Sequence, residues 1–156
     1  MNYSKYNLEV SSDYEIFEFV SKGVKGEKKK IVQFSATAAT NLYNLGFGDK
    51  LSDGTLDDNS ISNNGDMEMV LATVAATVYE YTSKYPERSV IFAGSSESRT
   101  RLYRMAVFKN FEELSMDFVI FGVIKLANGN LAKVSFIPDI NYVAFIVSRK
   151  TINSFV

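Results

Sequence analysis

Apolar side chains recur along this chain in two rhythms, one alternating every second residue and one returning every three to four, and the switches between them mark its elements. Alternation governs the N-terminal stretch. Tyr14 to Val20 is aromatic and β-branched, and Lys29 to Ala36 places Val32, Phe34 and Ala36 on one face with Lys30 at the rim, which predicts a pair of strands. The glycines and charges of Lys22-Gly23-Val24-Lys25-Gly26-Glu27-Lys28 suit the hairpin loop between them, and a short strand over Leu8 to Val10 precedes the pair. Tyr43, Leu45 and Phe47 alternate with Asn44 and Gly46 and predict another strand. The polar run from Asp49 to Asn59 reads as a loop, ending in a residue or two of strand at Ser60-Ile61-Ser62.

The helical rhythm begins at Met67. Met67, Leu71, Val74, Val78, Tyr81 and Tyr85 recur at spacings of four and three, with Val70 and Ala75 widening the stripe, so a long helix is predicted. Asn64, Gly65 or Asp66 can cap its start and Pro86 stops it; its thin polar face of Glu68, Glu80 and Lys84 implies burial against a sheet. Ser89-Val90-Ile91-Phe92-Ala93 is apolar at consecutive positions, as in a central strand covered on both faces. Gly94 releases the chain, Ser95 or Ser96 caps a second helix, and Leu102, Met105 and Ala106 form its inner face. Asn110 to Leu114 begins a separate helical turn. Phe118 to Ile124 and Lys133 to Ile137 are strands around the turn Ala127-Asn128-Gly129-Asn130, and Tyr142 to Ser148 is the last strand.

The expected order is three or four strands, helix, strand, helix, then two or three strands. That is an α+β (mixed α/β) domain over residues 1–156, a mostly antiparallel sheet with an embedded strand-helix-strand unit.

Composition narrows the chemistry. With 46% hydrophobic and 13% aromatic residues in 156, the chain can fill one core, and 17 basic against 18 acidic residues give no global pull toward nucleic acid or an anionic membrane. No window approaches the roughly 18 apolar residues that cross a bilayer, and Met1-Asn2-Tyr3-Ser4-Lys5-Tyr6 lacks the layout of a signal peptide, so a cytoplasmic protein is expected. Cysteine and histidine are both absent, which removes thiolate catalysis, Ser-His triads and nearly all zinc sites. No metal or cofactor is expected.

The turn from Gly94 to Arg104 carries the most unusual physics. A helix start presents free backbone N–H groups and a positive dipole end, Ser95, Ser96 and Ser98 add hydroxyls, and Arg99 and Arg101 add fork-shaped charge suited to phosphate or carboxylate. A cation in a first helical turn opposes the dipole by a few tenths to about 1 kcal/mol, so Arg99 is locally disfavoured unless an anion sits beside it. The structural reading pairs Glu97 with Arg101 at i,i+4 and sends Arg99 to an acid across the fold. Two other features read as ordinary surface. The acids from Asp49 to Asn59 do not fall at EF-hand positions, and the hairpin cluster Lys25, Lys28, Lys29 and Lys30 lacks interleaved stacking aromatics.

In spacing, Ser96-Glu97-Ser98-Arg99-Thr100-Arg101-Leu102-Tyr103 resembles the Asn-x-x-Ala-x-x-Leu-Tyr signature of the GNAT-type N-acetyltransferases, and the order of elements is similar to that fold's core. The resemblance implies Tyr103 as a general acid. Where that superfamily carries its glycine-rich CoA loop, this chain has Asn63-Asn64-Gly65-Asp66-Met67-Glu68. The chain as a whole resembles a family of small bacterial proteins of unknown function through Tyr43-Asn44-Leu45-Gly46-Phe47-Gly48-Asp49, Asn63-Asn64-Gly65-Asp66, Leu71-Ala72-Thr73-Val74 and Ser98 to Arg104. That resemblance brings no activity. The expectation is a small binding domain, not an established enzyme, holding an anionic or phosphorylated ligand at Ser95, Ser96, Ser98, Arg99 and Arg101. The alternatives are a divergent acyltransferase using Tyr103, and a structural or protein-interaction domain that dimerises over an edge strand such as Tyr142 to Ser148.

Overall fold

Pairing between the strands organises everything else in the computed structural model, which describes residues 4–57, 64–137 and 139–150. In chain order the elements are β1 (Glu9–Val10), β2 (Ile16–Gly23), β3 (Gly26–Ala36), β4 (Leu42–Lys50), β5 (Leu56–Asp57), α1 (Met67–Lys84) and β6 (Ser89–Phe92). They continue with α2 (Glu97–Lys109), α3 (Phe111–Asp117), β7 (Phe118–Lys125), β8 (Leu131–Ser135) and β9 (Ala144–Arg149). Among the described residues one sheet forms in the order β1-β2-β3-β4-β6-β9-β7-β8, with β5 beside β4. The architecture is mixed α+β and mostly antiparallel, as the sequence predicts. The embedded strand-helix-strand unit is β4-α1-β6, whose strands pair in parallel.

The strands run longer than their apolar cores. The β2–β3 ladder continues through Lys22↔Glu27 to Gly23↔Gly26, so only Val24 and Lys25 form the loop, with Gly26 at φ 89° closing it. Asp49 and Lys50, expected in a loop, end β4 and pair with β5. Ser60-Ile61-Ser62 lies outside the described residues. The parallel neighbour of β6 is β4.

One face of the sheet carries the helices. Phe17, Phe19, Val32, Phe34 and Leu45 from the early strands pack with Val90, Phe118, Phe145 and Val147 beneath α1 and α2. On the other face Val123, Ala144 and Ile146 cluster with Leu42, Ile91 and Phe121, and no helix residue joins them. The expectation that Ser89 to Ala93 contains a central strand covered on both faces is met, since β6 lies between β4 and β9 with Val90 in one cluster and Ile91 in the other. Its apolar run serves two clusters, one of them built by the sheet alone.

Both helices are rotated from the expected stripe. In α1 the buried set is Val70, Ala72, Thr73, Val74, Thr77, Val78, Tyr81 and Thr82, while Met67 is half exposed. Threonine explains the shift, because Thr73, Thr77 and Thr82 donate their hydroxyls to the helix's own carbonyls at Met69, Val74 and Val78 and can then bury their methyls. In α2 Leu102 and Met105 point outward, and Thr100, Tyr103 and Val107 face the core. The Thr100 hydroxyl accepts from the Gly94 amide at 3.1 Å and donates to the Ser96 carbonyl at 3.0 Å, which fixes that rotation.

Tyr81 anchors α1 to the sheet. Its ring lies fully buried on Phe34, centroids 4.0 Å apart and planes within 2°, and its hydroxyl accepts from Arg88 at 3.0 Å. The Arg88 guanidinium is in turn held over the rings of Tyr43 and Tyr85, at 4.2 and 3.8 Å. The last strand, β9, lies between β6 and β7, so the expectation of an edge strand at Tyr142 to Ser148 is overturned; among the described residues the main path of the sheet ends at β1 and β8. No described helix is long and apolar enough to cross a membrane.

Urea unfolding should rank two variants at this anchor. Tyr81→Ala opens a cavity against Phe34 and should cost about 3–5 kcal/mol, whereas Tyr81→Phe loses only the Arg88 bond and should cost about 1–2 kcal/mol. Equal losses would place the anchor in the hydroxyl and not in the stack.

Candidate functional site

The start of α1 is tied to the β2–β3 hairpin by a polar network. Asn64, buried to 3% exposure, accepts from the Lys25 amide at 2.6 Å and donates to the Gly26 carbonyl at 2.9 Å and to the Ser21 hydroxyl at 3.2 Å. Its own carbonyl accepts from the Val24 amide at 3.0 Å. A Cβ on Gly23 would come within 1.9 Å of that carbonyl, so the close docking requires glycine there. Asp66 occupies the N-cap position of α1 without capping it. Its carboxylate instead accepts from the hydroxyls of Tyr6, at 2.6 Å, and Ser21. Ser21 thus donates to Asp66 while accepting from Asn64, and its hydroxyl is engaged in both senses.

The start of α2 is built differently. Ser96 has extended backbone and caps the helix, its hydroxyl accepting from the Arg99 amide at 3.3 Å. Gly94 allows the turn to close, since a Cβ there would lie 2.4 Å from both Arg99 Cβ and the Thr100 nitrogen. The amides of Glu97 and Ser98 fall in the first turn, where a helix supplies no acceptor.

The two helix starts border one cleft of about 320 Å3. From α1 come Met67, Val70 and Leu71, and from α2 come Ser96, Ser98, Arg99, Leu102 and Tyr103. Phe47 and Gly48 of β4, with Ser21, Lys30 and Asp66, complete the lining. The cleft sits where β4 and β6 part. Their parallel ladder ends at Asn44↔Ile91, while β4 runs on to Lys50. Gaps of this kind, at the carboxyl ends of parallel strands, are where open α/β sheets bind ligands.

Lys30 is the cleft residue that sequence reasoning placed wrongly. It was expected at a rim; it is 5% exposed and forms an ion pair with Asp49. It shares the helix-facing side of β3 with Val32 and Phe34, and Asp49 lies directly opposite in the β3–β4 register. Two opposite charges facing each other across a hairpin are the signal that marks it.

The expected site residues divide between two surfaces. Ser96, Ser98 and Arg99 line the cleft, with Arg99 half-buried in its wall. Ser95 and Arg101 border an open depression on the other flank of the same turn, together with Arg104 and Asn141. Ser96 and Ser98 touch both surfaces. Arg101 and Glu97 are exposed and form no ion pair with each other. Tyr103 packs edge-on against Phe92, centroids 5.9 Å apart, and forms part of the cleft wall. Among the described residues no group of three acids converges as a metal site.

Chemically the cleft lining combines the Arg99 guanidinium, Lys30 in its ion pair with Asp49, the Asp66 carboxylate and a largely apolar body.

Among known protein families, residues 2–150 match the model described as "Family of unknown function (DUF6934)". Neither the curated proteins nor the solved structures contain a match. The layout shared with the acetyltransferases thus has no support from these comparisons.

The Tyr6–Asp66 bond makes a pH prediction. Burial first, and the bond to the Asp66 carboxylate second, push the Tyr6 phenol above its ordinary value of 10.0. The proton is held more tightly in the folded chain, so the bond's stabilisation is complete below that value and is lost as pH rises through the folded pKa. Urea midpoints taken between about pH 9 and pH 11 should fall less steeply for Tyr6→Phe than for the native chain. Parallel slopes would mean that this proton is not linked to folding.

Proposed function

The chain belongs to the DUF6934 family, whose function is unknown, and we propose that it is a binding domain that holds a small anionic or phosphorylated ligand in the cleft between α1 and α2. The observation that carries this reading is the first turn of α2, whose Ser96, Ser98 and Arg99 line the cleft at the parting of β4 and β6. The anion sits on the first turn of α2, held by the Glu97 and Ser98 amides, the Ser98 hydroxyl and Arg99. Ser96 contributes by capping that turn, and Ser95 and Arg101 add field from the opposite flank. A volume of about 320 Å3 lies within the range of about 300–1,000 Å3 common for small-ligand pockets.

Titration with inorganic phosphate, followed by amide NMR shifts, tests the assignment. Saturable shifts should centre on residues 97–99. Arg99→Gln, removing a charge-assisted contact, should weaken binding about tenfold or more, and Arg101→Gln should do less. Absence of saturable shifts at those amides, or equal losses in the two variants, would overturn it.

A further inference from the structure

The cleft continues past the anion position. Leu71 and Tyr103, which line it, also line a narrower crevice of about 90 Å3 running between α1 and α2. Val74, Ala75 and Val78 bound that crevice from α1, and Ala106 and Val107 bound it from α2. Its lining carries no charged side chain, and its polar atoms are confined to the tyrosines and the backbone. Interiors normally close such gaps, because side chains interdigitate at close-packed density. Here small side chains, Ala75 of α1 and Ala106 of α2, line the apolar space, which shares Leu71 and Tyr103 with the cleft. Apolar crevices of this kind accept apolar guests.

We propose that the ligand is an amphiphile, an anionic head on a short apolar arm, with the head on the first turn of α2 and the arm passing between Leu71 and Tyr103 into the crevice. This inference rests on the anion reading above and adds the second half of the ligand. The anion alone would use one end of the lining and leave Leu71, Leu102 and Tyr103 facing water. A flexible alkyl or acyl arm removes that apolar surface from solvent, which is the larger part of the available binding energy.

Calorimetric titration of the full chain with inorganic phosphate and with methyl, butyl and hexyl phosphate is the test, and butyrate and hexanoate report on the head group. Affinity should rise about three- to fourfold for each methylene that enters the crevice and then level off when it is full. Ala75→Phe from one wall and Ala106→Leu from the other should abolish the chain-length gain while leaving inorganic phosphate binding unchanged. Circular dichroism shows which variants fold, and either alone decides the question. Equal affinity along the series with phosphate binding intact would overturn the amphiphile and leave the anion site standing. A gain that survives both fillings would place the arm elsewhere and overturn the crevice assignment. Loss of binding by inorganic and hexyl phosphate alike in the native chain would overturn both readings.

Discussion

After three residue pairs, from Leu42↔Ser89 to Asn44↔Ile91, the parallel ladder between β4 and β6 stops, and the geometry above it depends on that stop. Two parallel neighbours need a crossover, and α1 supplies it, leaving beyond the end of β4 and returning along the sheet to deliver β6. α2 leaves beyond the end of β6. Both helices therefore begin at the same end of the sheet, and the parting of the strands leaves room between their first turns. Had the ladder continued along β4 to Lys50, backbone pairing would have occupied the place of the cleft. On its far side β4 remains locked to β3 through seven pairs, so the gap has a fixed wall.

The β-hairpin pair, the long helix, the buried strand after Pro86 and the Ala127 to Asn130 turn are all legible in the chain because each is set by contacts close in sequence. Helix rotation is not legible in the same way. The stripe drawn through Met67 and Leu71 treats threonine as polar, yet Thr73, Thr77 and Thr82 turn their hydroxyls onto helix carbonyls and bury what remains. Thr100 misleads in the same way in α2. Strand order is a longer-range property still. Nothing local in residues 144–149 distinguishes an edge from an interior strand, and β9 becomes interior by pairing with β6, more than fifty positions earlier, as well as with β7.

The site shows a similar division. That Ser96, Ser98 and Arg99 stand at a helix start is legible because such a start is a local event. Ser21, Asn64 and Asp66 are not legible in this way, since their roles lie in partners 43 and 45 positions apart. A polar run before a helix suggests caps, and Asp66 does stand at the cap position, but its carboxylate is taken by Tyr6 and Ser21. The two functions compete for one side chain. A carboxylate accepting two hydroxyl bonds while standing at a positive dipole end loses little by leaving the helix amides uncapped.

That comparison also bears on which helix start the proposed ligand would use. At α1 the dipole already meets an acid in Asp66 and another in Glu68, so the local field is answered within the chain. At α2 Glu97 is turned outward beside the depression of the far flank, and Arg99 stands in the cleft wall, where its charge adds to the dipole and does not offset it. The two starts are thus unequal although they share a cleft. On the proposed reading an anion gains from the amides and the guanidinium at α2 and is repelled by Asp66 at α1. The proposed head is then driven toward one wall, with the apolar surface between the helices behind it.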